Sequence, residues 1–489
     1  MRHATLLFSL TFLLPTFVEA QTPTLVQHAS CPNSRNTGNP QSNTPDYKCP
    51  LPEPSQAGNS IIVGIVSSNG TFILSDDKGN SYSLVQSIGD SLGQSMTSIY
   101  YAQNVAAGTR MVNLHRISST EGVAISVSEF YNAGAVDSHS CNNLNSTSIT
   151  AGSLAPTQTG DLVWQWVTNN GGGSVPNSVS SFTAGSQPNV TWQLLGTDLF
   201  DGDATQYGVY NSTIAINPTF KSGTSQAFSS CAVALKAVSA GSAPTATFRI
   251  VHMLHQQHPQ GAANPYAVQF PTSGNLIVNS YVGGGDSITG ITTNPSNTWL
   301  STGTFAGSEA ITAGSQIYYA ANATPANNMA LSITRSASAK DGTFMLYDIV
   351  GAAASPFDKD SGGQTANQTS LVTAFTTCSS CLTPSSSNEL IIANQGQNWC
   401  TSMSSPSPAG SLFDAATDTG NSVDGPQLVD QNNGWLHYYD TNTNPITVTW
   451  TNTCDAAEGE WAGRVAAFKS GGLIPQQPAP PTQLKAVVN

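Results

Sequence analysis

Residues 100–116 read YYAQNVAAGTRMVNLHR, and residues 318–335 read YYAANATPANNMALSITR. In both stretches Tyr-Tyr-Ala is followed by one residue and then Asn. A Met stands at the same distance from the first Tyr (Met111, Met329). A chain that repeats itself is read first as one structural unit used again. Working outward, the neighbours recur in the same order. Gly58-Asn59 leads into the apolar run 61–66, and Gly274-Asn275 leads into 276–278. Residues 161–167 (DLVWQWV) are answered by 389–393 (ELIIA), and 233–236 by 465–469, each ending in Lys. Residues 248–253 (FRIVHM) answer 24–28 (TLVQH).

The repeat consists of strands. The run 61–66 is almost wholly apolar, which suits a strand buried on both faces. In 123–130, Val123, Ile125 and Val127 alternate with Ala124, Ser126 and Ser128; residues 446–450 (ITVTW) alternate as cleanly. Asp76-Asp77-Lys78-Gly79-Asn80 reads as a hairpin turn between 72–74 and 82–85, with Gly and Asn where positive φ is needed. No long stretch carries apolar residues at helical spacing. The expected fold is all-β: two tandem antiparallel β-sandwich, jelly-roll-like domains over 21–239 and 246–470. Residues 240–245 form a short joint, and 471–489 a Pro-rich tail.

Composition sets the compartment. Arg2 and His3, an apolar core over 6–17 and Val18-Glu19-Ala20 have the pattern of an export signal, with the mature chain starting at Gln21. No later run is long and apolar enough for a membrane-spanning helix. Charged residues are only 9% of the chain and the net charge is −13, so the clustered cations of a nucleic-acid surface are missing. Eight Cys suit an oxidising, secreted setting. Cys31, Cys49, Cys141 and Cys231 lie in the first copy; Cys378, Cys381, Cys400 and Cys454 lie in the second. Four Cys allow three pairings in each copy. The pairing expected here is Cys31 with Cys49, Cys141 with Cys231, Cys378 with Cys381, and Cys400 with Cys454.

The order Asp-x-x-Gly-Asn-x-Tyr (Asp76 to Tyr82), then Tyr-Tyr-Ala-x-Asn, then Ala-Gly-Thr resembles a β-sandwich repeat of large secreted bacterial proteins. That resemblance implies architecture and an exported setting; it carries no catalytic residues over. The second copy departs at residues 293–297, where TNPSN replaces the Asp-Gly turn. The tail 478–488 (PAPPTQLKAVV) is similar to the opening strand of a fibronectin type III or Ig-like module.

Candidate sites are few. Tyr100, Tyr101, Tyr318 and Tyr319 are adjacent on strands, so one of each pair is expected to face the core and the other solvent. Trp164 and Trp166 share one face, as sandwich core or as a sugar-stacking strip. Trp192, Trp399 and Trp435 stand in loop-like surroundings and are the candidates for exposed ligand contacts. Asp198, Asp201 and Asp203 resemble a fragment of a calcium loop. His252, His255 and His258 recur every third residue, which on a strand puts consecutive members on opposite faces and spoils a shared metal site. Glu458 and Glu460 would share a strand face, as in a sandwich-fold glycosidase. No cofactor motif is present. These readings favour a secreted, non-catalytic surface protein with a structural or adhesive role. The alternatives are a glycan-binding protein and, more remotely, a glycoside hydrolase; the partners would be extracellular polysaccharide or other surface proteins.

Cystine connectivity tests the two-copy plan directly. Non-reducing peptide mapping should recover only pairs within a copy. Losing the bridge between Cys141 and Cys231 should cost about 2–5 kcal/mol, because it closes a long loop. Losing the bridge between Cys378 and Cys381 should cost far less.

Overall fold

The computed structural model describes residues 21–32, 46–68, 71–91, 93, 95–116, 123–169, 179–199, 201–258, 263–308, 313–336, 342–368, 374–397, 400–407, 412–418, 431–454 and 459–471. Among them the chain is strands and turns, with no helix. Residues 1–20, read above as an export signal, and nearly all of the Pro-rich tail lie outside the described residues.

An eleven-stranded sheet runs through both copies. From one edge its order is Leu300–Ser301, Ala313–Ala321, Leu276–Gly283, Gly342–Val350 and Arg249–His258, then Thr24–Pro32, Val123–Tyr131, Ser60–Ser68, Ser95–Ala102 and Ser83–Gly89. Ala306–Ser308 pairs beside Ala313–Ala321. The second half mirrors the first strand for strand. At the centre the two opening strands pair in parallel, with His28, Ala29 and Ser30 beside His252, Met253 and Leu254. Two equivalent strands lying side by side and pointing the same way are related by a half-turn about an axis along them. Such a rotation turns the second half of the sheet over.

The covering layers obey that rotation. In the first copy a three-stranded sheet (Asp46–Pro50, Met111–Arg116, Phe72–Asp76) covers one face, and a six-stranded sheet containing Asp161–Asn169 and Thr219–Ala237 covers the other. Ile61, Val63 and Ile65 share a core with Cys49, Leu51, Val112 and Leu114. Ile62 and Val66 point the other way, into a core with Trp164, Trp166 and Leu235. The apolar run 61–66 is continuous because both of its faces are buried. In the second copy the three-stranded cover (Tyr266–Thr272, Ala326–Arg335, Ile288–Asn294) meets Ile277 and Leu254. The six-stranded cover, with Glu389–Gln397 and Gly459–Ser470, meets Val278 and Tyr347. Each face of the central sheet thus carries one large cover from one copy and one small cover from the other. An outer layer of Ala374–Leu382, Ile446–Cys454 and Cys400–Ser407 adds Val448 and Trp450 to the core behind Glu389–Gln397.

This arrangement corrects several expectations. The copies do not meet only at a short joint: their central strands hydrogen-bond, and one core cluster spans both, from Val63 and Leu114 to Val278 and Leu390. The opening strand of each copy has a free backbone edge, and the other copy fills it. Residues 76–82 do not turn a hairpin. Phe72–Asp76 belongs to the small cover and Ser83–Gly89 to the central sheet, so the turn is a corner between layers. Asp76 holds it by accepting from Lys78 N, Asn80 N and Nδ2, and Tyr82 Oη at 2.7–3.1 Å. In turn Asn80 Oδ1 accepts from Ala106 N at 2.8 Å, just as Asn297 Oδ1 accepts from Thr324 N at 2.8 Å. The Asn of each Tyr-Tyr-Ala-x-Asn motif is left-handed, Asn104 at φ 55° and Asn322 at φ 51°, a conformation Asn tolerates better than most residues. Residues 213–216 (TIAI), whose apolar character reads as a strand, form none beyond a bridge of Ile216 to Leu154.

The bridges Cys31–Cys49, Cys141–Cys231 and Cys378–Cys381 form as paired above, with Cα atoms 5.6, 4.1 and 5.2 Å apart. Cys400 and Cys454 are opposed in strand register, their side chains lying outside the described residues. Trp164 and Trp166 seat on Gly64 of the central sheet, where an added Cβ would lie 2.8 Å from each ring. Gly64→Ala should therefore destabilise the fold by about 1–3 kcal/mol through overpacking. Gly290→Ala, where a Cβ meets nothing within 4 Å, should stay within about 0.5 kcal/mol. Urea unfolding of the two variants checks the contrast.

Candidate functional site

A group of buried charged side chains lies where the copies meet. Each copy places one carboxylate at the same point of the strand next to its opening strand. Glu129 is fully buried and accepts from Gln27 Nε2 at 2.5 Å, Gln56 N at 2.8 Å and Asn59 Nδ2 at 2.6 Å. Asp348, equally buried, faces His252 Nδ1 at 2.9 Å and accepts from Ser273 N and Oγ at 2.9 and 2.7 Å. Both carboxylates tie down the loop that enters the central strand at Gly58-Asn59 or Gly274-Asn275. Asn59 also receives Ser242 N at 2.7 Å, which fastens the joint between copies to the first copy.

A second carboxylate, Glu53, crosses the seam. Its backbone is held by Gln27: Glu53 N donates to Gln27 Oε1 at 2.6 Å, and Gln27 Nε2 donates to the Glu53 carbonyl at 2.8 Å. Its side chain reaches the second copy, where Oε1 accepts from Ile250 N at 2.8 Å and from the Tyr439 hydroxyl. Next to it His437 Nε2 meets the Pro52 carbonyl at 2.8 Å, and Arg249 Nη1 donates to the Val26 carbonyl at 2.7 Å. Burial pushes Glu53 up to about 7, against the pull of Tyr439, Ile250 and Arg249. Glu129 is raised for the same reason. Burial lowers His437 to about 4.

The opposite face carries the matching seam. Thr197 Oγ1 donates to the Gln269 carbonyl at 2.9 Å, and Gln269 Oε1 accepts from Phe182 N at 2.7 Å. Asn327 Oδ1 accepts from Leu194 N at 3.0 Å and its Nδ2 donates to the Trp192 carbonyl at 2.7 Å. Between the layers a pocket is lined by Ser30, Trp166, Gly196, Thr197, Asp198 and Asp203. Its empty space is about 210 Å³ including the part open to solvent, below the ~300 Å³ at which small-molecule sites usually begin. Nearby His28 bonds Ser128 at 2.9 Å and Ser30 at 2.8 Å, and burial lowers its pKa well below the usual range.

The sequence-predicted residues fall as follows. Trp192 and Trp435, expected in exposed loops, are buried. Trp192 packs with Val163 and Ala232 behind the large cover of the first copy. The Trp435 indole N–H donates to the Ser280 carbonyl at 3.1 Å, and its ring lies against His255. Trp435 lies on an inner strand of the second copy's large cover, and Trp192 in the segment just before the edge strand Gln193–Asp198 of the first copy's. Trp399 lies outside the described residues. Trp164 and Trp166 share a face and are core. Tyr101 and Tyr319 are buried, and Tyr100 and Tyr318 half-buried against the small covers, because both faces of the central sheet are roofed. Asp198 and Asp203 are opposed across a hairpin. Asp198 Oδ1 accepts from Gln256 Nε2 at 2.6 Å and from Asp201 N at 3.2 Å, so its oxygen serves the protein's own donors. Among the described residues no three His, Cys, Asp or Glu side chains come together to hold a metal ion, the three Asp included. His252 and His255 point to opposite faces, one to Phe270 and one to Trp435. Glu458 lies outside the described residues, and so do the side chains of Glu460 and His258.

Glu53, Glu129, Asp348, Arg249 and Tyr439 were not singled out in the sequence. One signal was available: Glu129 and Asp348 are the single acids in otherwise uncharged strands at matching places of the repeat. No family model, curated protein or solved structure matches this chain.

The seam titrates in opposite senses. Glu53 has a folded pKa near 7, above the ordinary 4.5. Its contribution is full below the ordinary value and is lost as pH rises through about 7. His437 is the reverse: its contribution is full above 6.5 and is lost as pH falls through about 4. Glu53→Gln removes only the first effect. The variant should gain stability relative to the wild-type chain between pH 5 and pH 8, by ~3 kcal/mol at most. Urea midpoints across that range measure it; equal pH slopes would count against the buried acid.

Proposed function

We propose that this chain is a secreted, non-catalytic protein of the cell surface or extracellular space with a structural or adhesive role. The observation that supports this reading best is where its ionisable groups are used. Glu53, Glu129, Asp348, Arg249 and His437 are hydrogen-bonded between layers and between copies, not gathered around an open cleft. A site for chemistry needs such groups converging on a space that a substrate can enter. Here they fasten layers. The cystine bridges, the export-type residues 2–20 and the low charge fit the same setting. Among the described residues no helix is long and apolar enough to cross a membrane.

The tandem plan gives this role a physical form: two sandwich-like halves joined through one sheet make a stiff unit, to be repeated or displayed. Glycan binding draws less support from the tryptophans: Trp164, Trp166, Trp192, Trp435, Trp450 and Trp461 are buried and Trp299 is half-buried, while Trp399 lies outside the described residues.

Cell fractionation with N-terminal sequencing tests the proposal. The exported protein should begin at Gln21 and be recovered outside the cytoplasm. The purified chain should hydrolyse no member of a polysaccharide and peptide panel. Turnover at ordinary enzyme rates, or retention of residues 1–20 in a cytoplasmic protein, would defeat it.

A further inference from the structure

One constellation occurs twice and is not used by the seam. In the first copy Lys236 Nζ lies 3.4 Å from Asp137 Oδ1. Thr157 donates to the same carboxylate from its Oγ1 at 2.7 Å and from its backbone N–H. Asp161 lies close enough to Asp137 to shift its titration; its Oδ1 accepts from Ala237 N at 3.3 Å and its Oδ2 is buried without a partner. In the second copy Lys469 Nζ lies 2.9 Å from Asp358 Oδ1. Ser385 donates to Asp358 from N at 2.8 Å and from Oγ at 2.6 Å. Glu389 approaches the Ser385 hydroxyl at 3.4 Å and buries its Oε2 without a partner. All four members occupy equivalent places. The Lys ends the last strand of the large cover, and the acceptor Asp lies on the first. The second acid opens Asp161–Asn169 or Glu389–Gln397, just after a left-handed residue (Gly160, φ 87°; Asn388, φ 60°).

An exposed ion pair would account for one such contact, but exposed pairs contribute little and give no reason for a repeated four-residue set. The acceptor carboxylates are nearly closed to solvent, 3% and 4% exposed, while the lysines are 41% and 35% exposed. The set has the parts of an acyl-transfer site: an amine, a carboxyl carbon, N–H and O–H donors on the carboxyl oxygens, and a second acid to relay protons. The amine already touches the carboxyl group, Nζ lying 3.4 and 2.9 Å from Oδ1 in the two copies, so the pair is held together before any bond forms.

We propose that Lys236 and Asp137, and likewise Lys469 and Asp358, condense to intramolecular amide bonds that lock the last strand of each large cover to the first. Lysine Nζ bonds to the carboxyl carbon of Asp, and one carbon–oxygen bond breaks. Two of the three ammonium protons leave with that oxygen as water, and the third stays on the amide nitrogen. No oxidant or reductant is needed. Asp161 and Glu389 take a proton from the amine and return it to the departing oxygen. Against their burial, hydrogen bonds from Thr157 and Ser385 hold Asp137 and Asp358 low, and the bond to Asp358 holds Lys469 high, so each pair starts as carboxylate and ammonium and the amine must first lose a proton. Burial, with Asp137 beside it, raises Asp161 to about 7, which suits the group that takes that proton and returns it.

Intact mass spectrometry of the reduced, denatured mature chain tests this independently of any adhesive role. The wild-type chain should weigh less than its sequence by two waters. Tandem spectra of a digest should contain branched peptides joining Lys236 to Asp137 and Lys469 to Asp358. Lys236→Arg keeps the charge and the ion pair but forms no such amide, so it should regain one water and lose only the first branched peptide; Lys469→Arg should do the same for the second. Asp161→Asn should accumulate folded chain with the first bond unformed. A folded wild-type chain at full sequence mass would reduce both clusters to ion pairs and overturn the proposal. Water loss persisting in both Arg variants would overturn it as well.

Discussion

The parallel pairing of Thr24–Pro32 with Arg249–His258 is the constraint on which the remaining layers depend. Had the two halves met through an antiparallel pair, a half-turn normal to the sheet would have related them, and both large covers would lie on one face. The parallel pair puts them on opposite faces. Each face is then closed by a large cover and a small cover from different copies, and each pair of covers needs its own fit. Polar side chains supply it: Gln269 with Phe182 and Thr197 on one side, and Glu53 with Ile250 and Tyr439 on the other.

A middle layer roofed on both faces explains the unusual interior. Strands in such a layer have no solvent side, so their Ser, Thr, Gln and Asn must find partners inside. Ser126 meets Thr205 at 2.7 Å, Thr97 meets Thr168 at 2.7 Å, and Ser128 accepts the Trp164 indole at 3.0 Å. These are neutral contacts between layers. Each is modest in net stability but expensive to leave half-made, so together they fix how the layers register. The composition, rich in small polar residues and poor in charge, follows from that need.

Much of this was legible in the sequence. The repeat, the all-β class, the doubly buried run 61–66 and the shared face of Trp164 and Trp166 follow from spacing and periodicity. The three cystine pairs match the expected pairing, but spacing alone left three connectivities open in each copy. The layer-crossing corner at residues 76–82 was not, because its Asp, Gly and Asn are the residues a hairpin would use. The long strands Ala133–Thr150 and Thr219–Ala237 were hidden by Ser- and Asn-rich stretches whose polar side chains leave no apolar period. Trp192 and Trp435 misled because polar neighbours hide their burial: Trp192 stands in a loop segment that packs on Val163 and Ala232, and Trp435 faces the central sheet at Ser280. The parallel centre left no local mark at all, since a strand does not announce its partner. What did mark the seam was a lone acid in each copy, Glu129 and Asp348, and comparing the copies position by position exposes it.

Hydrogen exchange of the backbone amides in the two opening strands tests the interlocked centre most directly. If the copies share one sheet, peptides covering residues 27–31 and 251–255 should exchange as slowly as those from Ser60–Ser68 and Leu276–Gly283, because both edges of each opening strand are paired. Fast exchange of the two opening strands, with the remaining central strands protected, would mean that each copy ends at its own open edge, and would contradict the account.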